Sequence, residues 1–158
     1  MEQNNIARHF GVLNRQTQNY INMFFNHIDL SFSEYIFLVS LYDNEGINQE
    51  ELSSLLFIDK AATARDIKLL EEKEFLIRKI CEEDKRAKRI YLTDKGRNYK
   101  EYISSPIKKW LKYITEGMDK ETIDIVIKGI VFMEERAKNA DFDEILELKN
   151  GNNNNQLL

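Results

Sequence analysis

The chain has 158 residues, enough for one domain with a sizeable core, and is 42% hydrophobic and 32% charged. Cys81 is the only cysteine, so no intrachain disulfide forms, and His9 and His27 are too few imidazoles for a metal cluster. No apolar run spans a membrane, Met1–Gln18 lacks the apolar core of a signal peptide, and no phosphate loop or nucleophile elbow appears. The expectation is therefore a cytoplasmic, non-enzymatic protein without catalytic residues, metal or cofactor.

In chain order, Phe10, Leu13, Thr17, Tyr20, Ile21, Phe24 and Phe25 recur at three- and four-residue intervals and predict a helix over Ile6–Phe25. A second helix is expected over Ser33–Tyr42, with Ser31 or Ser33 as its cap, ended by Asp43-Asn44-Glu45-Gly46. Asn48 and Glu51 have the spacing of a capping box for a short helix that buries Leu52, Leu55 and Leu56. Asp59 is a cap for a further helix from Lys60 to about Lys73. Two short helices joined by a tight link have the outline of a helix-turn-helix.

Phe75–Ile80 and Arg89–Leu92 read as strands around a charged loop, which makes a β-hairpin directly after the second of those helices. Thr93 caps a helix that runs through Tyr99 and Tyr102 to about Ser104. Ser105-Pro106 is expected to restart it, with the proline in the first turn, where its missing N–H costs nothing. Asp119 opens a last long helix carrying Ile123, Val126, Ile127, Ile130, Val131 and Met133, and Asp141–Leu148 forms a short acidic helix. Residues 150–158 are mostly asparagine and are expected to be disordered.

The formal charge of −4 is unevenly spread. Residues 58–100 carry a net +4, and Lys85–Lys100 holds seven basic residues against one acid, Asp94. A local basic stripe suits a phosphate backbone, since each neutralised phosphate releases counterions.

Asp84-Lys85-Arg86, five further residues, then Leu92-Thr93-Asp94-Lys95-Gly96 resembles the wing signature of the MarR (multiple antibiotic resistance regulator) family. Glu45-Gly46-Ile47-Asn48-Gln49-Glu50-Glu51-Leu52 resembles the entry to the same family's helix-turn-helix. The resemblance covers about residues 30–102. It implies a mainly α fold with a small β-hairpin wing: one domain over 1–149, a winged helix-turn-helix at 30–102, and dimerisation helices at 5–27 and 103–149. It also implies a homodimeric transcription regulator, usually a repressor, on double-stranded DNA. Three features depart from the family pattern. Glu74 stands where glycine is usual after the recognition helix, Ala61, Ala62 and Ala64 replace common Ser or Thr, and Glu82-Glu83-Asp84 makes the wing loop acidic.

A projection at about 100° per residue puts Lys60, Ala61, Ala64, Arg65 and Lys68 on one arc and Thr63, Ile67 and Leu70 on the other. Arg65 is the candidate base reader, because its fork matches the acceptor edge of guanine, and Lys60 and Lys68 suit phosphates. Ala61 and Ala64 suit thymine methyls, which points to an A·T-rich operator. By resemblance Arg86 enters the minor groove, Asp84 braces a basic side chain, and Lys85, Lys88 and Arg89 add phosphate contacts. A two-fold dimer spaces its recognition helices about 34–36 Å apart and reads an inverted repeat. The family's ligands are small aromatic or anionic molecules, for which Tyr20, Phe24 and Tyr35 are candidate lining residues, although aromatics at helical spacing more often form core. Cys81 lies beside Glu82, Glu83 and Asp84, which raise a thiol's pKa and oppose a redox role. The alternative to a regulator is a winged helix that docks proteins, or a ligand sensor without direct operator binding.

Overall fold

The computed structural model describes residues 5–80 and 88–146. It comprises two compact units, one up to Ile114 and one from Thr115. Cys81, Asp84, Lys85, Arg86 and the 150–158 tail lie outside the described residues.

The first unit begins with α1 (Ile6–Phe25), followed by a single 3₁₀ turn (Asn26–Ile28). Helix α2 (Phe32–Asp43) follows Ser31, whose hydroxyl and backbone complete a capping box with Glu34. Phe37, Leu38 and Leu41 of α2 are fully buried, so this helix runs through the core rather than along its edge. Helix α3 (Gln49–Leu56) has the expected Asn48–Glu51 capping box. Only Leu52 and Ser53 are buried in it, with Leu56 half-buried. Leu55 does not join the buried stripe and is 37% exposed. At about 100° per residue, the face centred between Leu52 and Ser53 leaves Leu55 at its flank, and eight residues bury one narrow stripe.

Helix α4 (Lys60–Glu72) ends in a Schellman motif. The Phe75 amide donates to the Leu70 carbonyl at 2.9 Å and the Glu74 amide to the Glu71 carbonyl at 3.0 Å. Glu74 takes the left-handed conformation, φ 61°, that glycine would take without strain. The departure at this position therefore changes the residue and not the turn.

Strands β1 (Leu76–Ile80) and β2 (Lys88–Leu92) pair antiparallel, with Leu76 opposite Leu92 and Arg78 opposite Ile90. The segment before α3 adds a short third edge. Gly46, at φ 88°, donates to the Ile90 carbonyl, Ile90 donates back to Ile47, and Asn48 bridges Arg89. Thr93 caps α5 (Asp94–Asn98), and its amide donates to the Phe75 carbonyl at 3.1 Å. Gly96 packs so closely that a Cβ there would collide with the same Phe75 carbonyl oxygen.

Helix α6 (Lys100–Ile114) runs unbroken through Ser105 and Pro106, so the expected restart at Ser105-Pro106 is not present. The chain breaks instead at Tyr99. Proline has no N–H for the Tyr102 carbonyl four residues back, and the Ser105 hydroxyl donates to that carbonyl at 3.0 Å. With the acceptor satisfied, Pro106 sits buried inside the helix.

In the second unit, Asp119 caps α7 (Lys120–Lys138) by accepting the Thr122 amide at 2.7 Å. No residue of α7 is buried, and Ile125, Ile127, Ile130, Phe132 and Met133 are exposed. Residues 142–146 are helical.

Candidate nucleic-acid interface

The candidate site is built on α4. Asp59 accepts the Ala61 and Ala62 amides at 3.0 and 2.9 Å, satisfying first-turn donors that have no helical partner. The Ser53 hydroxyl donates to the Ile58 carbonyl at 2.7 Å and closes the link from α3, whose C-cap Phe57 is left-handed at φ 53°. Thr63, Asp66, Ile67 and Leu70 face inward and are buried. Lys60, Ala61, Arg65 and Lys68 are exposed and Ala64 is half-buried, so the outer arc is the one the helical projection gives.

Each cation on this face has an acidic neighbour. Lys60 Nζ lies 2.5 Å from Glu50 and Lys68 Nζ lies 3.4 Å from Glu72. Arg65 Nε is 3.9 Å from Asp66, and its side chain is 70% exposed. The Lys60 hydrogen bond, then its charge, holds the Glu50 carboxyl below the usual range. The Lys60–Glu50 and Lys68–Glu72 pairs are exposed at both ends and therefore weak, so phosphates can displace them.

The hairpin is fixed beside α4 by groups that sequence reasoning missed. Arg78 of β1 donates to Glu71 of α4 from Nη2 at 2.5 Å and Nε at 3.1 Å. This hydrogen bonding is the largest cause of the lowered Glu71 pKa. Arg89 donates to the Gly46 carbonyl at 2.7 Å, so part of its donor set ties β2 to the entry of α3. Lys88 is exposed. Glu45 accepts the Leu92 amide at 3.0 Å and pairs with Arg97, which also donates to the Leu92 carbonyl at 2.8 Å. No local spacing signals these contacts, which join residues 7 to 52 positions apart. Asp84, Lys85 and Arg86, the wing residues singled out by resemblance, lie outside the described residues.

Tyr20, Phe24 and Tyr35 are not gathered into one cavity. Tyr20 stacks on Trp110 at 5.2 Å and lines a cavity of about 400 Å³ with Lys109, Trp110 and Tyr113. Phe24 packs against Phe25 and Tyr102, and Tyr35 is buried core stacked on Phe25. Burial pushes the Tyr35 phenol up from its ordinary value. Among the described residues no three His, Cys, Asp or Glu side chains gather as metal ligands, and no helix is long and apolar enough to cross a membrane.

A capped helix with an exposed cationic arc, preceded by a short helix and followed by a β-hairpin, defines a winged helix-turn-helix protein. The MarR family model matches residues 30–88. The chain is 35% identical over 94 residues to YybA of Bacillus subtilis strain 168, named as an uncharacterized HTH-type transcriptional regulator, covering 60% of this chain and 63% of YybA. It is 30% identical over 116 residues to the HTH-type transcriptional regulator SarZ of Staphylococcus aureus strain USA300, covering 73% of this chain and 76% of SarZ. A crystal structure of a MarR family regulator from Listeria monocytogenes, complexed with 26mer DNA, superposes with a TM-score of 0.81 at 27% identity, covering 96% of this chain and 97% of that one. The chain belongs to the MarR family. It spans 48–63% of the length of three of its relatives, YybA included. These relatives are named as regulators and not as enzymes.

Proposed function

We propose that this chain is a cytoplasmic, sequence-specific transcription regulator that binds double-stranded DNA as a homodimer and acts as a repressor. The observation that carries the reading is the exposed arc of Lys60, Ala61, Arg65 and Lys68 on a helix locked to a hairpin. The Listeria relative held in a DNA complex supports it. Arg65 reads a base edge, Lys60 and Lys68 meet phosphates, Ala61 and Ala64 meet thymine methyls, and Arg86 reaches a narrow minor groove. Lys85, Lys88 and Arg89 add phosphate contacts, and Asp84 braces the wing. The operator is an A·T-rich inverted repeat.

The apolar residues that α7 exposes supply one surface for a second copy, and Phe10 and Leu13 on α1 of the other unit supply another. The organisation is then a MarR-like domain over 1–149, with dimerisation helices at 5–27 and 103–149 around a winged helix-turn-helix at 30–102. A small aromatic or anionic ligand releases the DNA.

The test is a binding titration on fragments from upstream of the gene, in rising salt, with wild type and Arg86→Ala. Saturable, salt-sensitive binding weakened by the substitution is the expected result. A second reading, a winged helix that docks a protein, is favoured by the acidic partners of Lys60 and Lys68. An absence of binding at low salt would select it.

A further inference from the structure

The inner side of α4 meets α2 partly through charge. Asp66, 5% exposed, accepts a short hydrogen bond from Ser33 Oγ through Oδ2, while its Oδ1 lies 3.9 Å from Arg65 Nε. Seven residues on, Lys73 caps the C-terminal end of α4 and pairs with Glu34 at 2.6 Å. Glu34 is 2% exposed and also accepts the Ser31 amide and hydroxyl at 2.8 and 2.7 Å. Lys73 Nζ donates further to the Asp29 carbonyl, between the 3₁₀ turn and α2, and lies 3.5 Å from the Asp29 carboxylate. The Lys73 carbonyl in turn accepts Lys95 Nζ of α5 at 2.7 Å.

Seven residues are nearly two full turns, so Asp66 and Lys73 lie on one face of α4. Their partners, Ser33 and Glu34, are consecutive at the start of α2. Buried charge is a costly way to hold two helices together, since apolar side chains of the same volume pack there at least as well. Hydrogen bonds add direction. Apolar packing through Leu38, Leu41, Ile67 and Leu70 tolerates small rotations, whereas two directional contacts at separate heights along α4 do not.

We propose that Ser33–Asp66 and Glu34–Lys73 form a two-point clamp that fixes the rotation of α4, and that these four are positioning residues for sequence discrimination. The proposal rests on the DNA-binding reading above. The arc that carries Arg65 and Lys68 is aimed by the clamp. Phosphate contacts tolerate a few degrees of rotation, and a bidentate base contact does not.

The experiment compares affinity for the operator with affinity for an unrelated duplex of equal length, at one salt concentration, alongside thermal melting. The first variant is Glu34→Gln with Lys73→Met, which removes the buried carboxylate and its cation together and leaves only the solvent-exposed Asp29 carboxylate without its lysine. Operator affinity is expected to fall about tenfold, the scale of one lost base contact, with affinity for the unrelated duplex unchanged. Lys73→Arg, which keeps the charge, is expected to retain most of the discrimination. If the double variant does not melt cooperatively, Ser33→Ala with Asp66→Leu is measured in its place, with the same expected loss of discrimination. Unchanged operator affinity, or an equal fall on both duplexes, overturns the clamp. A wild type that binds neither duplex overturns the DNA-binding reading, and the clamp's role with it.

Discussion

The hydroxyl of Ser105 lies 3.0 Å from the carbonyl oxygen of Tyr102, the acceptor that Pro106 leaves without a backbone donor. Side chain thus replaces main chain at one rung of α6. Ser105→Ala is expected to cost about 1 kcal/mol in urea unfolding, because a part-buried carbonyl then loses its side-chain donor. Pro106→Ala in the same background should recover most of that loss. A Ser105→Ala protein as stable as wild type would count against the replacement.

Glu74 carries the opposite kind of local cost. Its left-handed φ of 61° closes the Schellman motif that turns α4 into β1. An L-residue there is strained by about 1–2 kcal/mol, part of which glycine gives back through its freer unfolded chain. Glu74→Gly is therefore expected to raise stability by about 1 kcal/mol, measured as a higher denaturation midpoint at unchanged slope. A lowered midpoint would mean that the Glu74 side chain makes a compensating contact.

Tyr42 links stability to alkaline pH. Its hydroxyl donates to the Gly96 carbonyl at 3.0 Å, and burial pushes its pKa up to about 12. The folded chain keeps its phenol proton where the unfolded chain, near the ordinary phenol value of 10, has begun to lose it. The contribution is complete below pH 10 and is lost as pH rises toward 12. The loss is about 2–3 kcal/mol across that window. Tyr42→Phe should flatten this decline between about pH 10 and 12, read from urea midpoints. Equal declines in the two proteins would move the effect to another group.

Arg65 is 70% exposed on the outer arc of α4, and its fork suits the acceptor edge of a base. Arg65→Ala is expected to reduce the preference for the operator over single-base variants by about 1–3 kcal/mol at one position, with little change elsewhere. A uniform loss across all variants would make it a phosphate contact instead.

What could be read from the chain, and what could not, divides by distance along it. The caps Asn48, Asp59, Thr93 and Asp119 act on amides two or three residues away, so their chemistry is visible in a short window. The bounds of α1 follow from its apolar spacing for the same reason. Ser33 meets Asp66 across 33 residues and Glu34 meets Lys73 across 39, and no local rule pairs them. The outer arc of α4 was readable as a face, but its ion pairs with Glu50 and Glu72 depend on the placement of α3 and on rotamers. Pro106 misled because the usual rule puts proline at a helix start, and one serine hydroxyl suspends that rule. Leu55 misled because a short helix has room for fewer inward positions than its leucines suggest.

The Phe75 carbonyl oxygen is where the hairpin's two ends meet. The residue leads into β1, its oxygen accepts the Thr93 amide that follows β2, and Gly96 presses its bare backbone against it. Both feet of the hairpin are thereby pinned at one point, while Arg78 ties β1 to Glu71 of α4 and Ile90 ties β2 to the segment before α3. A load on the strands is delivered to the end of α4 and the start of α5 together. The small glycine of the wing signature is the clearance that lets this bearing close.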